Sequence, residues 1–161
     1  MNTLSKKSTQ WKPNVTVAAI VEQDGRFLLV EEHTDRGNRF NQPAGHLEDN
    51  ETLLNAVIRE TLEESAYEFL PEALLGIYHW KHTHNDTTYL RFAYIGKVSA
   101  HYPEQALDTG IVRAVWMTAE EMHANSMLMR SPQVLTCVDD YLAGKRFPLA
   151  SITHLDSLIA L

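Results

Sequence analysis

The sequence is poor in the features that define several protein classes. It has a single cysteine, Cys137, among 161 residues, so an intramolecular disulfide is excluded and a reducing compartment is expected. Cys137 lies among Val134, Leu135, Val138 and Leu142, which reads as a small buried apolar residue rather than a nucleophile. No window approaches the ~18 apolar residues of a membrane span, and Met1 to Lys12 is polar with no signal-like run. The expected location is cytoplasmic. Cations are also scarce, with Lys and Arg totalling 14 against 21 Asp and Glu, for a net charge of −7. That balance argues against general nucleic-acid binding, which needs a basic face. There is no internal repeat, low-complexity stretch or long linker. The oligomeric state is not legible.

What remains has the composition of an ordinary globular domain, 44% hydrophobic and 22% charged, and is long enough to bury a core. Residues 1–12 read as a flexible lead-in, 13–149 as one domain and 150–161 as a tail. Val15 to Val21 is a β-branched run, and Asp24-Gly25 separates it from Phe27 to Val30, which is a hairpin signal. Thr34 to Arg39 reads as a polar loop, and Phe40 to Leu47 as a short strand broken by a tight loop at Pro43 and Gly45. A helix follows, with Leu54, Val57, Ile58 and Thr61 on one face. Leu74 to Trp80, Tyr89 to Val98 and Ile111 to Met117 read as strands. Thr118 to Glu121 has the form of a capping box. Ser131-Pro132 starts a last helix, with serine as the expected cap, and Gly144 stops it. Hairpins mixed with helices, without regular βαβ units, predict an α+β sandwich.

The chemistry concentrates between Gly45 and Glu64. On a helix Glu60, Glu63 and Glu64 fall within an arc of roughly 100°, at most ~6 Å apart along the axis, away from the apolar stripe. Like charges at that spacing repel by about 0.2–0.5 kcal/mol per pair. A solvated acidic face is the ordinary explanation, but it should carry interspersed basic residues and only Arg59 is near. A hard cation held by carboxylate oxygens would turn the repulsion into attraction. Mg²⁺ suits such a set, because it prefers oxygen ligands and keeps waters and phosphate oxygens in its shell.

Residues 45–67 resemble the Nudix box: Gly, five residues, Glu, seven residues, then Arg-Glu-aliphatic-any-Glu-Glu-any-Gly-aliphatic. Gly45, Glu51, Arg59, Glu60, Glu63 and Glu64 stand at the required positions, a coincidence expected by chance about once in 10⁷ starting points. Asn41 to Glu48, Leu90-Arg91-Phe92 and Arg130-Ser131-Pro132 resemble a bacterial phosphatase branch of that family. Two positions depart from the pattern. Thr61 replaces an aliphatic residue. Ala66 replaces the final glycine, and because Glu68 to Pro71 carries no helical period, a left-handed helix exit at Ala66 is expected despite a cost of about 1–2 kcal/mol.

The resemblance implies a Nudix-type α-β-α sandwich with a mixed sheet. It also implies Mg²⁺-dependent (Mn²⁺ as substitute) hydrolysis of a phosphoanhydride bond in a small-molecule pyrophosphate or nucleotide. The implied substrates are nucleoside di- or triphosphates or thiamine-type pyrophosphates such as hydroxymethylpyrimidine pyrophosphate. ADP-ribose, a dinucleoside polyphosphate or an RNA 5′ end is the alternative within the family. A non-catalytic nucleotide sensor is the alternative outside catalysis, although such modules typically lose box glutamates that this chain keeps. Glu60, Glu63, Glu64 and the Ala44 carbonyl are the implied metal ligands, with Glu60 alternatively the general base. Arg59 would orient the cluster and Glu51 would pair with it, although an ordinary surface pair is the competing reading. Asp108 is the candidate acidic ligand outside the box, or else a turn residue beside Gly110, with Glu104 as second choice. Arg39 and Phe40 are candidates for phosphate binding and ring stacking, or plain loop and core. His79, His82 and His84 read as a hairpin tip rather than a zinc site. Contact of His79, Trp80 or His82 with a phosphate or base is the stronger assignment.

Overall fold

The computed structural model describes residues 10–83 and 85–155. Residues 1–9 of the expected lead-in, His84, and 156–161 of the expected tail lie outside the described residues. Strand β1 (Asn14–Gln23) and β2 (Arg26–Thr34) form the expected hairpin. Asp24 and Gly25 both take positive φ, 52° and 78°, the backbone sense that matches the twist of paired strands. β3 (Gly37–Asn41) pairs antiparallel with β2, so the polar stretch from Thr34 to Arg39 is a second hairpin and not a loop. Its sequence hides this, because exposed edge strands carry polar residues on both faces.

β4 (Ala44–His46) pairs with β1 and leads to α1 (Leu53–Ser65). Thr52 caps α1, its side chain accepting from Asn55 N at 3.0 Å. β5 (Tyr67–Lys81) and β6 (Thr88–His101) are longer than expected and irregular in register. Pro71 sits in β5 at one of those irregularities, on the sheet edge, where its missing N–H costs least. β7 (Ile111–Met117) pairs with β2.

The strand order is β3-β2-β1-β6-β5, with β4 on β1 and β7 on β2. β1 and β6 run parallel and the remaining pairs antiparallel, so the sheet is mixed. Val17 to Val21 are at most 1% exposed, because β1 is covered on both faces. One face packs Val17, Ala19, Val21 and Phe69 against Ala56 and Val57 of α1. The other packs Ile20, Leu29 and Leu75 against α2 (Ala119–Ala124) and α3 (Pro132–Leu142) through Met122, Val134 and Val138. Helices on both faces of a mixed sheet make the expected α-β-α sandwich. Leu149 and Ile152 also pack on the α1 side, so the packed unit continues past residue 149.

Helix ends follow the expected chemistry with one exception. Thr118 and Glu121 form the capping box, and Ala66 leaves α1 in the left-handed region at φ 58°, its N–H donating to the Leu62 carbonyl. Ser131 occupies the cap position of α3, but its hydroxyl makes no capping bond. Among the described residues no helix is long and apolar enough to cross a membrane.

Candidate active site

A cleft of about 810 Å³ opens beside β4 and the α1 glutamates, reaching the tip of the β5–β6 hairpin and the start of α3. Close packing of β4 on α1 shapes its acidic wall. A Cβ built at Gly45 would collide with the Glu60 carboxylate, so glycine is what lets the strand and this side chain meet. Glu60 is 8% exposed, and burial pushes its carboxyl above the usual range. Glu64 Oε2 accepts from Ala44 N at 2.8 Å. Burial first, then the charges of Glu60, Glu32 and Asp108, raise Glu64 to about 8. Glu32, on β2, lines the same cleft and is likewise raised by burial.

Arg59 ties the motif together. Its Nε and Nη2 donate to both oxygens of Glu51 at 3.1 and 2.7 Å, Nη1 donates to Glu60 at 2.8 Å and Glu63 at 3.1 Å, and Nη2 also donates to the His46 carbonyl at 3.1 Å. Glu51 accepts in addition from Glu48 N. Arg59 holds Glu51 below the usual carboxylate range, and Glu51 in turn raises the guanidinium. The pair is thus a half-buried clamp between the helix and its preceding loop, not an ordinary surface pair.

The three helix glutamates do not all face the cleft. Glu60 and Glu64 line the cleft and Glu63 does not. At 100° per residue Glu60 and Glu64 lie about 40° apart, whereas Glu63 is about 60° from one and 100° from the other. Its carboxylate is 40% exposed and held by Arg59, and its carbonyl accepts from Asp108 N at 3.0 Å. Asp108 is exposed beyond the lining but close enough for its charge to raise both Glu60 and Glu64. Glu104 is exposed and does not line the cleft. Among the described residues no three Asp, Glu, His or Cys side chains enclose an ion by themselves. The donor set still fits a hard cation that fills its shell mainly with water and phosphate oxygens: Glu64 and Glu60 offer oxygen at one wall, and clustered carboxylates in a partly buried setting favour a compensating positive charge.

Of the substrate candidates, Trp80 and His82 line the cleft, and Arg39, Phe40 and His79 do not. Phe40 packs into the α3-side core, and Arg39 Nη1 donates to the Asn38 carbonyl. His79 and Trp80 are successive strand residues and point to opposite faces, which leaves His79 exposed outside the cleft. Trp80 stacks on Tyr89, centroids 5.6 Å apart at 18°, and meets His82 at 5.0 Å.

Several cleft residues were not singled out from the sequence. Arg91 on β6 is 6% exposed, donates to Gln42 Oε1 at 3.2 Å and Asn41 Oδ1 at 3.4 Å, and is pulled below its usual range by burial. A lone cation in the apolar run around Leu90 and Phe92 was the available signal. Arg130 and Ser131 carried only their place in the Arg130-Ser131-Pro132 phrase and Glu32 carried no signal, since their convergence depends on tertiary structure. Arg130 Nε stands 3.1 Å from Glu32 Oε1, out of line for a hydrogen bond, and that oxygen has no other partner. Cys137 is fully buried, its thiol pushed up to about 11.

The architecture and the box agree with comparisons to known proteins. The NUDIX domain family matches residues 11–136. The chain is 39% identical over 142 residues to phosphatase NudJ of Escherichia coli strain K12, covering 88% of this chain and 92% of that protein. A Nudix hydrolase from Nitrosomonas europaea superposes with a TM-score of 0.89 at 51% identity, covering 91% of this chain and all of the other. A MutT Nudix hydrolase from Burkholderia pseudomallei, at 18% identity and TM-score 0.67 over 81% of this chain and 98% of its own, shares the fold. The chain belongs to the Nudix family and is a hydrolase acting on pyrophosphate bonds.

Proposed function

We propose that the protein hydrolyses a phosphoanhydride bond in a nucleoside di- or triphosphate or a thiamine-type pyrophosphate, such as hydroxymethylpyrimidine pyrophosphate, with Mg²⁺ or Mn²⁺. The observation that carries this reading is the pair of carboxylates Glu60 and Glu64, both raised chiefly by burial, facing a cleft wide enough for a small organic pyrophosphate. The similarity to a phosphatase supports phosphate release as the outcome.

Glu64, Glu60 and the Ala44 carbonyl would hold the cation, with Asp108 a further carboxylate whose charge reaches both glutamates. The ion supplies Lewis acidity toward phosphoryl oxygens and lowers the pKa of water. In its alternative role Glu60 would accept the proton of the attacking water instead of binding the ion, burial having raised its affinity for a proton. As the water oxygen bonds to phosphorus, the anhydride P–O bond breaks and its oxygen leaves with the departing phosphate. Arg59 keeps Glu60 oriented, and Glu51 keeps Arg59 oriented. Glu63 acts through that clamp.

A panel of pyrophosphates assayed with Mg²⁺ tests the reading. Phosphate release from nucleotide or pyrimidine pyrophosphates is expected, and it should vanish in excess EDTA. Turnover confined to ADP-ribose, dinucleoside polyphosphates or RNA ends would overturn the substrate assignment. Full turnover in EDTA would overturn the metal.

A further inference from the structure

The last turn of α1, Leu62 to Ser65, holds two glutamates and no basic residue, although carbonyls at a helix C-terminus lack partners within the helix and carry partial negative charge. Residues 102–110, the connection from β6 to β7, meet that end. Tyr102 N donates to the Ala66 carbonyl at 2.8 Å and Asp108 N to the Glu63 carbonyl at 3.0 Å. Between them Gln105 Nε2 donates to the Leu62 carbonyl at 2.8 Å, which also accepts from Ala66 N.

The connection is turns and irregular chain throughout, so these bonds decide where it lies. Gln105 N donates to the Tyr102 carbonyl and Ile111 N to the Asp108 carbonyl, closing a turn at each end of the segment 105–108. His33 N donates to the Gly110 carbonyl at 2.7 Å and fastens the far end to β2. Of these anchors only Gln105 acts through its side chain. A lysine or arginine could also bond the end of a helix, but three residues from Asp108 it would compete with a metal ion for that carboxylate. A carboxamide satisfies the carbonyl without adding charge. Asp108 is exposed, yet its charge acts on both Glu60 and Glu64. On an unfastened connection it would spread over several positions, and a misplacement of about 1 Å can cost as much as 10²-fold in rate.

We propose that Gln105 is a positioning residue: by fastening residues 102–110 to the end of α1 it sets the Asp108 carboxylate beside Glu60 and Glu64, as part of the wall that binds the divalent cation. This assignment rests on the reading of that wall as the metal site.

The test is a double-mutant cycle of Gln105→Met, which keeps the length and removes the donor, with Asp108→Asn. The first readout is Mn²⁺ binding to the substrate-free protein, followed by the EPR signal of the free ion. Gln105→Met should weaken binding about 10-fold, the scale on which partners of metal ligands act. Asp108→Asn should weaken it at least as much, and the double variant no more than Asp108→Asn alone. The second readout is the Mg²⁺ concentration for half-maximal turnover, which should rise in the same ratio while KM for the pyrophosphate at saturating Mg²⁺ holds. Gln105→Ala replaces Gln105→Met if that variant does not fold. Losses that multiply in the double variant would mean that Gln105 only braces α1, and they overturn the assignment. Parental Mn²⁺ affinity in Gln105→Met or in Asp108→Asn overturns it as well, and a parent that binds no Mn²⁺ overturns it together with the metal reading. Parent protein that binds Mn²⁺ with the expected coupling but turns over none of the proposed pyrophosphates refutes the substrate reading and leaves this one standing.

Discussion

Replacing Glu64 by Gln should stabilise the metal-free protein at alkaline pH. In the folded chain Glu64 titrates near 8, against 4.5 for an ordinary glutamate, chiefly because it is buried and secondarily because Glu60, Glu32 and Asp108 repel its charge. A carboxyl with a raised folded pKa binds its proton more tightly folded than unfolded. Its contribution is therefore intact below about 4.5 and is lost as pH rises through about 8. The full gap corresponds to a ceiling of about 5 kcal/mol. Relaxation and water entry should reduce this to about 2–3 kcal/mol, or roughly 5–10 °C in melting temperature for a domain of this size. Glutamine keeps an oxygen for the Ala44 N–H and removes the charge. Melting curves of parent and Glu64→Gln in EDTA at pH 5 and pH 8 check the reasoning. The two should coincide more closely at pH 5, and the variant should melt higher at pH 8. Mg²⁺ should raise the parent at pH 8 far more than the variant. A variant that melts lower than the parent at pH 8 would refute the argument and make Glu64 a structural residue.

Other perturbations separate the clamp, the close approach and the helix exit. Arg59→Ala leaves Glu51, whose side chain is 14% exposed, without its partner and should cost about 1–3 kcal/mol along with most activity; denaturant unfolding at unchanged m-value would measure it. Gly45→Ala should lower kcat at least ~10²-fold, the scale of losing a placed electrostatic group, because its methyl displaces Glu60; near-parental kcat would show that Glu60 has no need of its present position. Ala66→Gly relieves a left-handed penalty of about 1–2 kcal/mol but adds unfolded-state freedom of about 0.4–1 kcal/mol and loses a buried methyl. A gain of up to about 1 kcal/mol is expected with unchanged activity, and a clearly less stable variant would show that the methyl outweighs the strain.

Much of this protein is determined by local sequence. The α1 motif, the Asp24-Gly25 turn, the capping box at Thr118 and the left-handed exit at Ala66 are short-range features, and their geometry depends on residues within a few positions of each other. The spacing from Gly45 to Glu64 identified the acidic wall for the same reason. Tertiary structure decided what the rest of the cleft contains. Glu32 lies on β2, Arg91 on β6 and Ser131 before α3, and only the sheet order β2-β1-β6, with α3 packed on one face, brings them to one cavity. Strand direction separated Trp80 from His79, and helical rotation separated Glu63 from Glu60 and Glu64. The edge hairpin at β3 was hidden because an exposed strand needs no apolar alternation. Periodicity reports which face of an element is buried, whereas a site assembled from distant elements depends on which faces meet.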